Sequence, residues 1–229
     1  MTRYHMKHEI LLGLTTTPAS DWRGKVEEMK KFGIKKIALF PTFLKKEERA
    51  ELYRLLEEIA DLQVPHVHLR DDMEEWELEL YEKWGAQVLN VHLGHLGAEA
   101  YRSRLGKIYT ENHFGLMDEE KIRSCAGICL DVSHLEASRL RRRPEYAQIA
   151  ALLEVFPVGC CHVSAVDDNI FNPLNYIFGF DKHFCTAPEK MDYVGQYRRY
   201  LPKYVSLELE NSFQEQAELK GYLEKIINI

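Results

Sequence analysis

Short apolar runs alternate with amphipathic segments along the whole chain. The apolar runs read as strands at Ile10–Leu14, Ile34–Phe40, Gln63–Leu69, Gln87–Leu93, Lys107–Glu111, Gly127–Val132, Val158–Val163 and Tyr204–Leu209. Between them, apolar residues recur at helical spacing. Trp22, Val26 and Met29 mark a helix starting near Asp21, and residues 46–61 place Ala50, Tyr53, Leu56, Ile59 and Ala60 on one face. Trp76, Leu80 and Trp84 mark a third helix, and Tyr146, Ile149, Leu153 and Phe156 another over 145–156. Residues 98–105 and 118–125 read as short helices. A loop of about 20 residues follows the seventh run, and a helix over 188–200 comes next. Thr186-Ala-Pro-Glu189 and Ser212-Phe-Gln-Glu215 both have the spacing of a capping box.

Eight strands alternating with about eight helices predict parallel βα units, and eight units in one domain-sized chain predict a closed (β/α)8 TIM barrel over residues 1–229. The competing arrangement is a doubly wound open sheet. No glycine-rich phosphate loop follows the first strand, which counts against it.

The candidate chemistry lies at the ends of the strands. Active sites of such barrels form at the C-terminal strand ends, so an ionisable residue closing an apolar run faces the mouth. The third run carries His66 and His68, the fourth His92, the fifth Glu111 followed by His113, the sixth Asp131 followed by His134, the seventh His162, and the eighth Glu208 and Glu210. Strand alternation puts Ser206, Glu208 and Glu210 on one face and Leu207 and Leu209 on the other. It likewise turns Asp131 inward, away from Ile128, Leu130 and Val132. Several inward carboxylates need a compensating charge. A metal cluster supplies it, and mixed carboxylate and imidazole donors suit Zn2+, Mn2+ or Fe2+. A lone strand histidine is more often a satisfied core residue, and His68 and His113 also fit that reading. His5, His8 and His95 read as structural or surface residues.

At these residues the sequence resembles the xylose-isomerase-like barrel superfamily, and within it the endonuclease IV family. The resemblance is carried by Pro65-His66, Asn90-Val-His92-Leu-Gly94, Glu111-Asn-His-Phe-Gly115, Asp131-Val-Ser-His134, His162, Asp181-Lys-His183 and Glu208. It implies a nine-residue set of metal ligands, His66, His92, Glu111, Asp131, His134, His162, Asp181, His183 and Glu208, holding zinc ions. It also implies phosphoester hydrolysis, with Glu111, Glu208 and His134 in catalytic roles and DNA or a smaller phosphoester as substrate. The alternative within the superfamily is a sugar or sugar-phosphate isomerase or epimerase with one ion on Glu111, Asp131, His162 and Glu208. A non-catalytic binding module is the third reading. Whether Glu208 or Glu210 serves the eighth strand, and His66 or His68 the third, stays open.

Charge and composition narrow this picture. A net charge of −6 gives no global attraction to nucleic acid. One local basic run, Arg139-Leu-Arg-Arg-Arg143, reads as a solvated loop or helix start. Five cysteines without a CxxC pair do not form a disulfide framework, so a reducing, cytoplasmic compartment is expected. No apolar run is long enough to cross a membrane. Tyr197 and Tyr200 fit a subunit interface, the core or the plain surface equally, and the oligomeric state stays open.

Overall fold

Eight parallel strands close into a barrel in the computed structural model, which describes residues 8–18, 20–113 and 115–228. His5 and Phe114 lie outside the described residues. The barrel strands are β1 (Glu9–Thr15), β2 (Lys36–Phe40), β3 (Gln63–His68), β4 (Val88–His92), β5 (Ile108–Glu111), β6 (Gly127–Asp131), β7 (Val158–Val163) and β10 (Tyr204–Leu207). They neighbour one another in chain order, and β10 returns to pair with both β7 and β1. Closure excludes the open doubly wound sheet. Two further strands, β8 (Ala165–Val166) and β9 (Asp181–Lys182), form an antiparallel ribbon in the loop after β7.

Helices α1 (Trp22–Phe32), α2 (Lys46–Glu57), α3 (Glu75–Lys83), α4 (Glu119–Arg123), α5 (Val132–Leu140), α6 (Pro144–Leu152), α7 (Pro173–Phe178) and α8 (Phe213–Ile227) accompany the strands. Runs of 3-10 turns cover Glu99–Lys107 and Pro188–Tyr200. Alternation along each strand divides the core. Outward residues such as Leu39, Val67, Val91, Leu130 and Val163 pack against the helices. Inward residues Leu11, Ala38, Phe40, Val88, Cys129, Cys160 and Tyr204 fill the barrel itself. Gly13 is required where β1 meets β10: a β-carbon there would lie 1.7 Å from the Leu207 carbonyl oxygen. The Gln216 side chain from α8 then bonds both the Gly13 amide and its carbonyl.

Two local expectations need correction. The sixth apolar run extends through Val132, but α5 begins at that residue, directly after Asp131 with no connecting loop. Thr186 does not cap the run over Pro188–Tyr200: Ala187 holds the N-cap position and makes no side-chain bond. The Ser212 capping box is present, with Ser212 and Glu215 bonding each other's backbone. Tyr197 is buried, its hydroxyl donating to Glu136, and so belongs to the core. No helix among the described residues is long and apolar enough to cross a membrane.

Candidate metal centre

The strand ends converge on one cluster of carboxylates and imidazoles at the mouth. His68 closes β3, His92 closes β4, Glu111 closes β5, Asp131 closes β6, and His162 and Glu208 come from β7 and the end of β10. All but His92 are buried, with Glu208 at 8% exposure. Around Glu111 stand His68 Nε2 at 2.9 Å, His162 Nε2 at 3.2 Å and His92 Nε2 at 3.5 Å. His162 Nδ1 lies 2.8 Å from Glu208 and 3.5 Å from Asp131. His134 reaches Asp131 at 3.3 Å with Nδ1 and Asp181 at 3.4 Å with Nε2. His113 stacks on His92, with ring centroids 4.2 Å apart.

Local chain geometry aims these groups. Asp131 caps α5: one carboxylate oxygen accepts from the His134 amide at 2.7 Å and from the Ser133 hydroxyl at 2.6 Å. That leaves its other oxygen for His134 and His162. Asn112 clamps the same residue, accepting from its amide and donating to its carbonyl. Asn90 donates to Glu111 at 2.8 Å and bonds His66 behind it. His68 Nδ1 donates to the Leu69 carbonyl at 2.9 Å, which turns Nε2 toward Glu111.

The electrostatics are those of a site built around positive charge. Burial opposes ionisation of Glu111, but His162 and His68 outweigh it and hold the carboxyl well below its usual range. Burial likewise opposes the Glu208 charge, and His162 pulls its carboxyl down to about 2. Burial raises Asp131, against the pull of His134 and His162. His162 is itself disfavoured by burial as a cation, yet Glu208, Glu111 and Asp131 push it well above its usual range. Asp131 and Asp181 overcome burial at His134 and push it up to about 10.

These contacts are not hydrogen bonds in every case. Among the described residues, neither His162 nitrogen finds a hydrogen-bond partner, although carboxylate oxygens stand 2.8 and 3.2 Å away. Donor atoms around a zinc-sized ion, each about 2.0–2.2 Å from it, lie about 3–3.5 Å from one another. The cluster therefore fits a divalent cation. Two separate donor sets have their ligand atoms within 4.8 Å of one another, His68 with His92 and Glu111, and Asp131 with His162 and Glu208; a third, Glu111 with Asp131 and His134, overlaps both.

The structure places the residues of the two open choices at different positions. Glu208 faces the cluster, whereas Glu210 lies beyond the end of β10 and turns away. Glu210 accepts from the Thr17 amide and the Ser20 hydroxyl and pairs with Lys25 at 3.2 Å. His68 meets Glu111, while His66 sits one level deeper, bonded to Ser206 at 2.7 Å and Asn90 at 2.9 Å. The expected place of His66 in the mouth cluster is therefore corrected: its neighbours at ligand spacing are Cys129 and Cys160, inside the barrel. Sequence reasoning gave no role to those cysteines; their inward alternation on β6 and β7 was the available signal. His183 stands at the rim, its Nδ1 3.2 Å from the Glu208 carbonyl. His8 bonds the Pro202 carbonyl, while His95 stands 3.7 Å from Asp71 with its ring 5.7 Å from that of His92.

No family model and no curated protein matches the chain. Solved structures do. A dihydropteroate synthetase bound to a product is similar at 13% identity and a TM-score of 0.51, covering 97% of this chain and 95% of that one. Dihydropteroate synthase from Thermus thermophilus is 16% identical with a TM-score of 0.49, over 95% and 94% of the two chains. N-acetylneuraminate lyase from Mycoplasma synoviae is 13% identical with a TM-score of 0.40, over 98% and 80%. The first likeness shows the fold, a TIM barrel.

The expected family is corrected. No family model supports it, and a barrel that matches along nearly the whole chain at a TM-score above 0.5 is a dihydropteroate synthetase, not a xylose-isomerase-like enzyme or endonuclease IV. Phosphoester hydrolysis, the hydrolase class and the isomerase or epimerase alternative fall with that resemblance. The physical reason is that its motifs are short and some of their residues also have structural roles. Asp131 caps α5 through the His134 amide, and Asn112, next to Glu111, clamps the Asp131 backbone.

Proposed function

We propose that the chain is an enzyme holding one or two divalent cations, Zn2+, Mn2+ or Fe2+, at the barrel mouth and acting on a small molecule with vicinal oxygens. The reaction class is carbon-acid chemistry, a lyase or transferase step through a carbanion beside a carbonyl. One observation carries the metal part of this reading: the fully buried His162 stands among three carboxylates at 2.8, 3.2 and 3.5 Å, the spacing of ligand atoms around one cation. Glu111, Asp131, His162 and Glu208 would hold the cation, with His68 and His92 completing the side nearest β3 and β4. His134, Asp181 and His183 border the same space and serve a second ion or the substrate.

The bound cation would supply Lewis acidity, stabilising negative charge on a carbonyl oxygen. The chain's own groups do the rest. His134, held protonated by Asp131 and Asp181, holds a proton at its ring nitrogens where the cluster opens into the adjoining cavity. It is placed to return that proton to a carbanion. Asn112 and Asn90 keep Asp131 and Glu111 in one orientation, so no reorganisation is needed as charge develops.

Elemental analysis of protein purified without chelator tests the first half. About one or two ions per chain are expected, falling sharply in Asp131→Asn and Glu111→Gln. Solvent deuterium entering the methyl group of pyruvate, followed by NMR, tests the second, and is expected only with metal-replete protein. A chain that holds no metal after reconstitution refutes the reading.

A further inference from the structure

A cavity of about 230 Å³ opens beside the cluster, lined by His113, His134, Asp181, Arg141 and Arg143, with Arg141 about two helical turns along α5 from His134. That is room for about seven water molecules, enough for a small metabolite. The basic run that read as solvated loop is divided by the fold. Arg139 is taken up by Glu136, at 2.6 and 2.7 Å. Arg142 takes the left-handed conformation, φ 53°, in the turn between α5 and α6, and faces solvent. Its two neighbours line the cavity.

Arg141 is held rigidly there. Its Nη2 donates to the Asn175 carbonyl at 3.1 Å, and its guanidinium lies over the Phe180 ring at 5.6 Å. Its Nε–H is buried and finds no hydrogen-bond partner among the described residues. A buried, unsatisfied donor on a fixed guanidinium is costly unless a ligand accepts from it. Glu145 also lines the cavity, its Oε2 buried without a hydrogen-bond partner among the described residues, and the half-exposed Arg143 stands 3.9 Å from it. One cationic side chain therefore remains in excess among Arg141, Arg143 and Glu145.

We infer that Arg141 and Arg143 form an anion-recognising subsite, and that the substrate carries a carboxylate or phosphate group at the end opposite its metal-binding oxygens. This rests on the proposed metal site for the position of the substrate's other end. Planar guanidinium groups recognise such anions through paired, charge-assisted hydrogen bonds.

The test is calorimetric titration of metal-replete protein with four ligands sharing one chelating head. Pyruvate has no tail, 2-oxovalerate an apolar tail, 2-oxoglutarate a carboxylate tail, and 2-oxo-4-phosphonobutyrate a phosphonate tail. Binding is expected to be roughly tenfold or more tighter for an anionic tail than for 2-oxovalerate. The better of the two anionic ligands identifies the anion. Arg141→Gln, and separately Arg143→Gln, are expected to bring the ratio toward one while the metal content stays that of the parent protein, which shows that the variants fold. Equal affinity for 2-oxovalerate and both anionic ligands, with metal bound, overturns the subsite alone. A protein without metal overturns the metal reading and the subsite with it.

Discussion

Asp131 divides its carboxylate between two tasks. One oxygen caps α5 and the other faces His134 and His162, so a substitution there disturbs helix and cluster together. His134 has the mirror arrangement, its amide in the cap and its ring between two carboxylates. Its folded pKa, about 10, lies above the ordinary histidine value. The stabilisation it brings is therefore complete below about pH 6.5 and is lost as pH rises toward 10. Chelator-treated protein is expected to lose thermal stability across that interval, while metal-loaded protein, whose carboxylates are compensated otherwise, stays level. Melting curves between pH 6 and 10 check this; a flat profile for the metal-free protein would contradict it. At this scale the sequence disclosed most of the cluster, because inward strand-end residues follow from alternation. It misplaced His66 because alternation gives a residue's face and not its depth along the barrel. It left Glu210 open because alternation was extended beyond the end of β10.

Elements were legible where apolar spacing was strong. The helix over 46–61 and the strand Val158–Val163 appear with little change, as α2 and β7. α5 was not legible: Val132 continues the apolar run of β6, so its first residue reads as more strand. The short ribbon of β8 and β9 and the helix α7 were likewise hidden in one long connection, since two-residue strands leave no periodicity. Between α2 and α3 lies a buried ionic clamp. Arg49 donates to Glu77 through Nε at 2.8 Å and Nη2 at 3.0 Å, and Tyr53 donates to the same carboxylate. Both charged side chains are completely buried. Arg49 also pairs with the partly exposed Asp72 at 3.2 Å, so removing the Glu77 charge leaves it incompletely compensated, at a cost of about 3 kcal/mol, the lower end for a broken buried pair. Glu77→Gln is expected to lower unfolding free energy by that amount in urea titrations, with metal content unchanged in the folded protein. A loss below about 1 kcal/mol, the range of surface pairs, would mean that the clamp contributes little.

For the whole molecule, the alternation of strands and helices was enough to give the closed barrel, because eight βα units have few other ways to bury both faces of a parallel sheet. The chemistry was less legible, because a barrel mouth lined with histidine and carboxylate generates short motifs whatever the lineage. What remains is the charge pattern of the mouth. Imidazoles and carboxylates alternate from Glu208 through His162 and Glu111 to His68, and from Asp181 through His134 to Asp131. In metal-free protein His162 and His134 are held protonated, so two protons already offset part of the carboxylate charge. A cation entering it must displace those protons, because only neutral imidazole ligates. Metal uptake is thus an acid-producing event. In weakly buffered solution near pH 7, each zinc ion bound is expected to acidify the medium, with at least about one proton released per ion, and apparent affinity should climb with pH. An indicator dye reads the release directly. The barrel's mouth would then be a cation-for-proton exchanger, its occupancy in any compartment set jointly by metal supply and acidity.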